Sequence, residues 1–115
     1  MKPIFFDKKT CGTCKKAQAY LNEKDVDFEV VDILKQPPER DLLEQFIDAE
    51  NVKPFLNSRS AIYRDKKLGQ NLPDKATAIA LMLEDPNLIK RPFIVRGAEA
   101  SFGFSAVDFD EKWVD

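Results

Sequence analysis

The chain has no histidine and only two cysteines among its 115 residues. Two thiols cannot complete a four-ligand zinc site, there is no imidazole to make up the set, and two cysteines with carboxylates would be an unusual alternative. Charge of one sign is also missing. Eighteen basic and twenty acidic residues leave a net charge of −2, which gives no electrostatic footprint for direct nucleic-acid binding. No apolar run reaches membrane-spanning length, and the opening Met1-Lys2-Pro3-Ile4 lacks the long apolar stretch of a signal peptide. A cytoplasmic protein without membrane association is expected. Thiols are kept mainly reduced in that compartment, so a disulfide would be transient and functional. No repeat, low-complexity segment or internal linker is visible, and no flavin, nucleotide or metal motif. At this length the chain reads as one domain, large enough to need no structural disulfide or metal.

Both cysteines fall in one run, Lys8-Lys9-Thr10-Cys11-Gly12-Thr13-Cys14-Lys15-Lys16. An apolar strand, Ile4-Phe5-Phe6, precedes it and a helical pattern follows. In a strand-turn-helix setting this spacing reads as a redox-active pair. On a helix, positions i and i+3 bring Cβ atoms to roughly 5–6 Å, within reach of a disulfide after small adjustments. Cys11 at the helix start meets unpaired N–H groups and the positive end of the dipole, and four lysines flank the pair. Both effects favour the thiolate, the reactive form. The plain alternative is two inert thiols packed as small core hydrophobes.

The helix runs from Cys11 to about Lys24, capped by Thr10 or Cys11, with Cys14, Ala17 and Leu21 on one face. Asp27 to Ile33 reads as a second strand, completing a parallel, right-handed βαβ unit. Pro37-Pro38 then opens a helix near Glu39 with Leu42, Leu43, Phe46 and Ile47 as its buried stripe. Asn51 to Ser58 is a turn or helical piece around Pro54, and Arg59 to Leu68 a further helical stretch. Asp74 caps a helix with an apolar face of Ala76, Ile79, Ala80 and Leu83, and Asp85-Pro86-Asn87 stops it. Phe93-Ile94-Val95 is a strand, turned by Gly97 into a hairpin with Ala100-Ser101-Phe102. Ser105 caps a final helix carrying Val107, Phe109 and Trp113. The order βαβ, helical insertion (about 38–87), ββα predicts an α/β thioredoxin-like fold: a mixed sheet with helices on both sides.

Arg91-Pro92 stands directly before the third strand. In this layout a proline there is often cis and faces the redox cysteines, with a trans proline starting an edge strand as the alternative. Arg91 would then point toward the thiols, as a permanently charged, five-donor partner for oxyanions and thiolates, unless it is a solvated surface arginine. Arg59, in the polar junction Asn57-Ser58-Arg59-Ser60, reads locally as an exposed arginine that could serve as a second anion-binding group. Thr10 reads as a cap, although its hydroxyl could hydrogen-bond a thiolate.

Along essentially its whole length the chain resembles the arsenate reductase (ArsC)/Spx/YffB-like family. The resemblance rests on Thr10-Cys11-Gly12-Thr13-Cys14-Lys15-Lys16-Ala17, on Asn57-Ser58-Arg59-Ser60, on Asn71-Leu72-Pro73, and on the run from Asp85 to Val95, which is similar to the family's hP-x-L-I-x-R-P-I-h-V segment. It implies that Cys11 is the nucleophile, that Arg59 and Arg91 serve the anion site together with Thr10 and Gly12, and that Pro92 is the cis-proline. Cys14 or glutathione would resolve the adduct. The substrate would be a small oxyanion or a disulfide, and the electron donor glutathione with glutaredoxin, or thioredoxin, with no bound cofactor. Two departures stand out. Arsenate reductases of this type carry one active-site cysteine and a third arginine after the hairpin, whereas here Cys14 is present and Ser101-Phe102-Gly103-Phe104-Ser105 has no arginine. A Gly-aromatic pair there is similar to the Spx and YffB-like branches. The alternative is therefore an Spx-like redox-sensing regulator that docks on the RNA polymerase α subunit.

Overall fold

The structure, a computed structural model, describes residues 2–114. In chain order its elements are β1 (Ile4–Asp7), α1 (Gly12–Glu23), β2 (Glu29–Asp32), α2 (Arg40–Phe46), α3 (Ala61–Asp65), α4 (Lys75–Glu84), β3 (Phe93–Arg96), β4 (Glu99–Phe102) and α5 (Ala106–Lys112). Short 3-10 turns at Lys53–Phe55 and Pro86–Leu88 complete the set. The chain divides into two compact units, one holding the chain up to Ile33 and again from Arg91, the other Leu34–Lys90.

The first unit carries the sheet, in the order β2-β1-β3-β4. β1 and β2 are parallel, with Phe6 opposite Val31, while β3 is antiparallel to both of its neighbours. This is the mixed sheet of a thioredoxin-like α/β fold. Side chains alternate across the pleat, so the register sorts the aromatics into two layers. Phe5, Ile94 and Ser101 are cross-strand neighbours on one face, and Phe6, Phe93 and Phe102 on the other. On the second face the three rings stack in a row, with centroids 5.3 and 4.4 Å apart. On the first, Phe5 and Ile94 pack with Cys14, Ala17 and Leu21 of α1 and with Phe109 and Trp113. The Trp113 indole N–H donates to Ser101 Oγ at 3.0 Å, satisfying the polar edge of a ring that is otherwise core. Val107, expected on the buried face of the last helix, is 71% exposed. It precedes Phe109 by two positions, about 200° around the helix, so burying Phe109 turns it to solvent. β2 is an edge strand, which leaves Val30 half-exposed.

In the second unit, Asp74 caps α4 by accepting the Thr77 N–H at 2.8 Å. The buried face of this helix is Ala78, Ile79 and Met82, while Ala76 and Ala80 are exposed and Leu83 is partly so. The helix is apolar nearly all round, so periodicity alone cannot fix its rotation. On α2, Leu43 is buried and Ile47 just beyond it is buried too, whereas Leu42 and Phe46 are only partly covered. The helical stretch expected from Arg59 starts two residues later. Ser60 is its cap, and Arg59 lies before it. Asn57 ties the unit together: its N–H donates to the Leu88 carbonyl at 2.7 Å and its side-chain amide to the Asn87 carbonyl at 3.1 Å.

Candidate active site

β1 ends at Asp7, and the chain turns back through residues 8–10, closed by the Cys11 N–H donating to the Lys8 carbonyl at 2.9 Å. The turn delivers Cys11, not Thr10, to the N-cap of α1, with extended dihedrals of −89° and 112°. Thr10 is exposed and the helix begins at Gly12, one residue later than the sequence suggests. Cys11 wins the cap because its Sγ accepts the Cys14 N–H at 3.3 Å, the bond an N-cap oxygen ordinarily accepts. A thiol is a weak acceptor and a thiolate a strong one, so this geometry favours the ionised form.

Cys14 sits three residues on, fully buried, because 14, 17 and 21 follow the helical stripe that packs against Phe5 and Ile94. Cys11 is half-buried, and both thiols are free. Their environments drive them apart. At Cys11 the strongest single influence is burial, which raises the thiol. Hydrogen bonds from the Cys14 thiol and backbone N–H, then the hydrogen bond and charge of the Arg91 guanidinium, outweigh it and hold Cys11 below its ordinary range. At Cys14, burial pushes the thiol far up. Its hydrogen bond to Cys11 adds to this, a backbone hydrogen bond from Lys8 opposes it, and the negative charges of Cys11 and Asp7 add a little more. The two environments push the thiols in opposite directions, favouring ionisation at Cys11 and a retained proton at Cys14.

Arg91 is partly buried and joined to Pro92 by a cis peptide bond. Pro92 is buried, and its carbonyl accepts the N–H of Gly103 at 2.9 Å. Gly103 has a φ of 86°, a left-handed conformation that side-chain-bearing residues rarely adopt. It turns the chain out of β4 so that Phe104 reaches the layer containing Cys11, Tyr20 and Phe109, with its ring 4.9 Å from Phe109. Gly12 occupies the first helical position, where an added Cβ would meet nothing within 4 Å, so packing does not require glycine there. Arg59 belongs to the second unit, exposed, its N–H bonded to the Asn57 side chain at 3.1 Å.

The structure thus brings together Cys11, Cys14 and Arg91 within the first unit, with Pro92 next to Arg91 across the cis bond. Sequence reasoning missed Lys8, which acts through its backbone and leaves no side-chain signal, and Asp7. It also missed the tie from Gly103 to Pro92, whose only trace in the sequence is a glycine between two aromatics at a strand end. Among the described residues, no group of three or more His, Cys, Asp or Glu is placed to hold a metal, and no helix is long and apolar enough to cross a membrane.

The model of the ArsC family matches residues 6–111. The protein YusI of Bacillus subtilis, itself uncharacterised, is 30% identical over 117 residues, which cover 98% of this chain and 99% of YusI. The global transcriptional regulator Spx of Streptococcus mutans is 29% identical over 98 residues, covering 84% of this chain and 72% of Spx. A crystal structure of an ArsC family related protein from Bacteroides fragilis superposes with a TM-score of 0.88 at 27% identity, covering 96% of this chain and 98% of that one.

Proposed function

The chain belongs to the ArsC family, and from that premise we propose that it is a cytoplasmic thiol oxidoreductase similar to glutaredoxin-coupled arsenate reductase, with Cys11 as nucleophile. One observation carries this reading: the Cys11 sulfur caps α1 beside Arg91, three residues from a buried thiol that keeps its proton. The Cys11 thiolate attacks either a disulfide sulfur or the arsenic of arsenate. In the first case a mixed disulfide forms and the partner's other sulfur leaves as a thiolate. In the second an S–As bond forms and an arsenate oxygen leaves as water. The Arg91 guanidinium, and Arg59 by resemblance, stabilises the anionic group at the site through charge-assisted hydrogen bonds.

Resolution falls to Cys14 or to glutathione. While Cys11 is ionised, its charge helps hold the proton on Cys14. Once Cys11 is bonded, that charge is gone and the Cys14 proton is released more easily. The Cys14 thiolate then attacks Cys11 Sγ. The mixed disulfide or S–As bond breaks, expelling a thiolate or carrying its electron pair to arsenic, and a Cys11–Cys14 disulfide remains for glutathione with glutaredoxin, or thioredoxin, to reduce.

The Spx relatives favour a second reading, in which the same pair is a redox switch controlling docking on the RNA polymerase α subunit. A coupled assay separates the two. Arsenate-dependent and disulfide-dependent NADPH oxidation with glutathione and glutaredoxin, beside a pull-down with the α subunit, should show turnover without capture. Capture that depends on the disulfide, with no turnover of either substrate, would replace the enzyme by the regulator.

A further inference from the structure

The charge around Cys11 runs against the chain. The whole molecule is net acidic, yet no Asp or Glu lies between Asp7 and Glu23, and four lysines, at 8, 9, 15 and 16, bracket the two cysteines. Lys9, Lys15 and Lys16 are exposed, and among the described residues none of the three forms an ion pair. Lys15 lies one helical turn from Cys11, and its N–H donates to the Cys11 carbonyl.

Helix electrostatics do not account for this placement. Cations at a helix N-terminus face the positive end of the dipole and cost stability. Two other helices follow the favourable rule: α2 has Asp41 in its first turn, and α5 has Asp108 in its first turn and Lys112 in its last. α4, like α1, has no acid in its first turn and no base in its last, but the Asp74 carboxylate caps it; in α1 the cap is a thiol, and Lys15 and Lys16 follow immediately on its opening residues. Departures from local rules are expected where function requires them.

We propose that Lys9, Lys15 and Lys16 form an electrostatic docking surface around Cys11 for a protein whose own disulfide or dithiol is rimmed by carboxylates. Cations stand on both sides of the nucleophile along the chain, a spread suited to an acidic rim more than to one small anion. The inference rests on the nucleophilic role of Cys11. The Cys11 thiolate attacks one sulfur of the partner's disulfide, the partner's S–S bond breaks and its second sulfur leaves as a thiolate. Cys14 loses its proton to solvent and attacks Cys11 Sγ, releasing the partner's first sulfur as a thiolate. Two electrons pass to the partner, which is reduced, and this chain is left as the Cys11–Cys14 disulfide; a reduced partner runs the same steps backward. The lysines act on encounter alone, by raising the local concentration of the acidic face.

The test uses two peptides with the same intramolecular disulfide loop, one flanked by Asp and Glu, the other by Asn and Gln. Rates with the reduced protein are measured from low to high salt, beside two small disulfides, one dianionic and aromatic (5,5′-dithiobis-2-nitrobenzoate) and one neutral (2-hydroxyethyl disulfide). The acidic peptide should react at least about tenfold faster than its amide twin at low salt, and the advantage should shrink as the Debye length contracts from about 30 to 3 Å. In the triple variant Lys9→Gln, Lys15→Gln, Lys16→Gln the advantage should vanish while the rate with the neutral disulfide is kept. The melting temperature should stay level or rise, because cations leave the wrong end of a helix. Equal rates for the two peptides, or an advantage that survives in the triple variant, would overturn the docking surface. So would loss in the triple variant of rate with the small dianion as large as the loss with the acidic peptide, since the lysines would then serve small anions. If Cys11 reacts with none of the four probes, it is the nucleophilic reading that fails.

Discussion

The first turns of α1 and α5 are built on the same plan with different atoms. Ser105 accepts the Asp108 N–H at 3.3 Å and Cys11 accepts the Cys14 N–H at the same distance. Ser105 is followed by an acid in the first turn, as dipole and cap both prefer, while Cys11 is followed by a buried thiol and two lysines. At α5 the cap oxygen is neutral, and its energetic role ends with the helix. At α1 the cap atom is ionisable, and the N–H that would anchor a neutral cap stabilises a thiolate instead, with the Cys14 thiol and Arg91 adding to it. The difference teaches that N–H groups exposed at a helix start stabilise either a fold or a reactive anion, depending on which atom they are given.

The most severe way to break this comparison is to make the two starts alike. Cys11→Ser should abolish disulfide exchange, yet its thermal melt should stay level or move up, since serine is among the best neutral caps. Loss of folding in this variant would show that the sulfur is structural. Next in size is Arg91. Arg91→Ala should slow turnover by about 10²–10³-fold, the usual cost of removing one donor to developing charge. Arg91→Lys should recover part of it, because a point charge lacks the planar fork. Steady-state kinetics beside an Arg64→Ala control measure both, and an Arg91→Ala enzyme as fast as the control would remove Arg91 from the site.

A smaller effect separates the two roles of Cys14. Cys14→Ser keeps a hydroxyl donor toward Cys11 and Cys14→Ala does not, so the Cys11 titration should move up in the alanine variant relative to the serine one. Both variants should stall at the mixed disulfide, visible by mass spectrometry as one trapped half of the substrate. If neither accumulates it while exchange continues at the wild-type rate, Cys14 does not resolve the adduct. The smallest change is at the other start. Ser105→Ala should cost about 1 kcal/mol of stability, read from denaturant unfolding, and leave exchange rates untouched.

Much of this was legible in advance, for reasons that can be located. Cys14, Ala17 and Leu21 fall on one helical stripe with polar residues between them, so their burial followed from spacing. Asp74 and Ser105 announced their caps because a short polar side chain before an apolar period has few other uses. The same logic failed where the pattern carries little contrast. α4 is apolar nearly all round, so its pattern leaves the rotation open, and Phe109 rather than Val107 takes the core position on α5. At the site, the choice between Thr10 and Cys11 as cap needed the turn closed by Lys8, a backbone bond that no side chain advertises. The tie between Gly103 and Pro92 extends the β3–β4 hairpin one pair beyond Phe93 and Phe102, and it depends on the strand register, which local patterning does not encode.

The central claim, that the helix start and Arg91 together hold Cys11 as a thiolate, is tested most directly by the pH dependence of Cys11 alkylation in the Cys14→Ser variant. A protonated thiol is inert and a thiolate reacts, so the rate should climb with pH and level off above the folded-state pKa. The account predicts a midpoint below the unperturbed value of about 8.5, moving upward when Arg91→Ala is added. A midpoint at or above that value, unmoved by loss of the guanidinium, would contradict it.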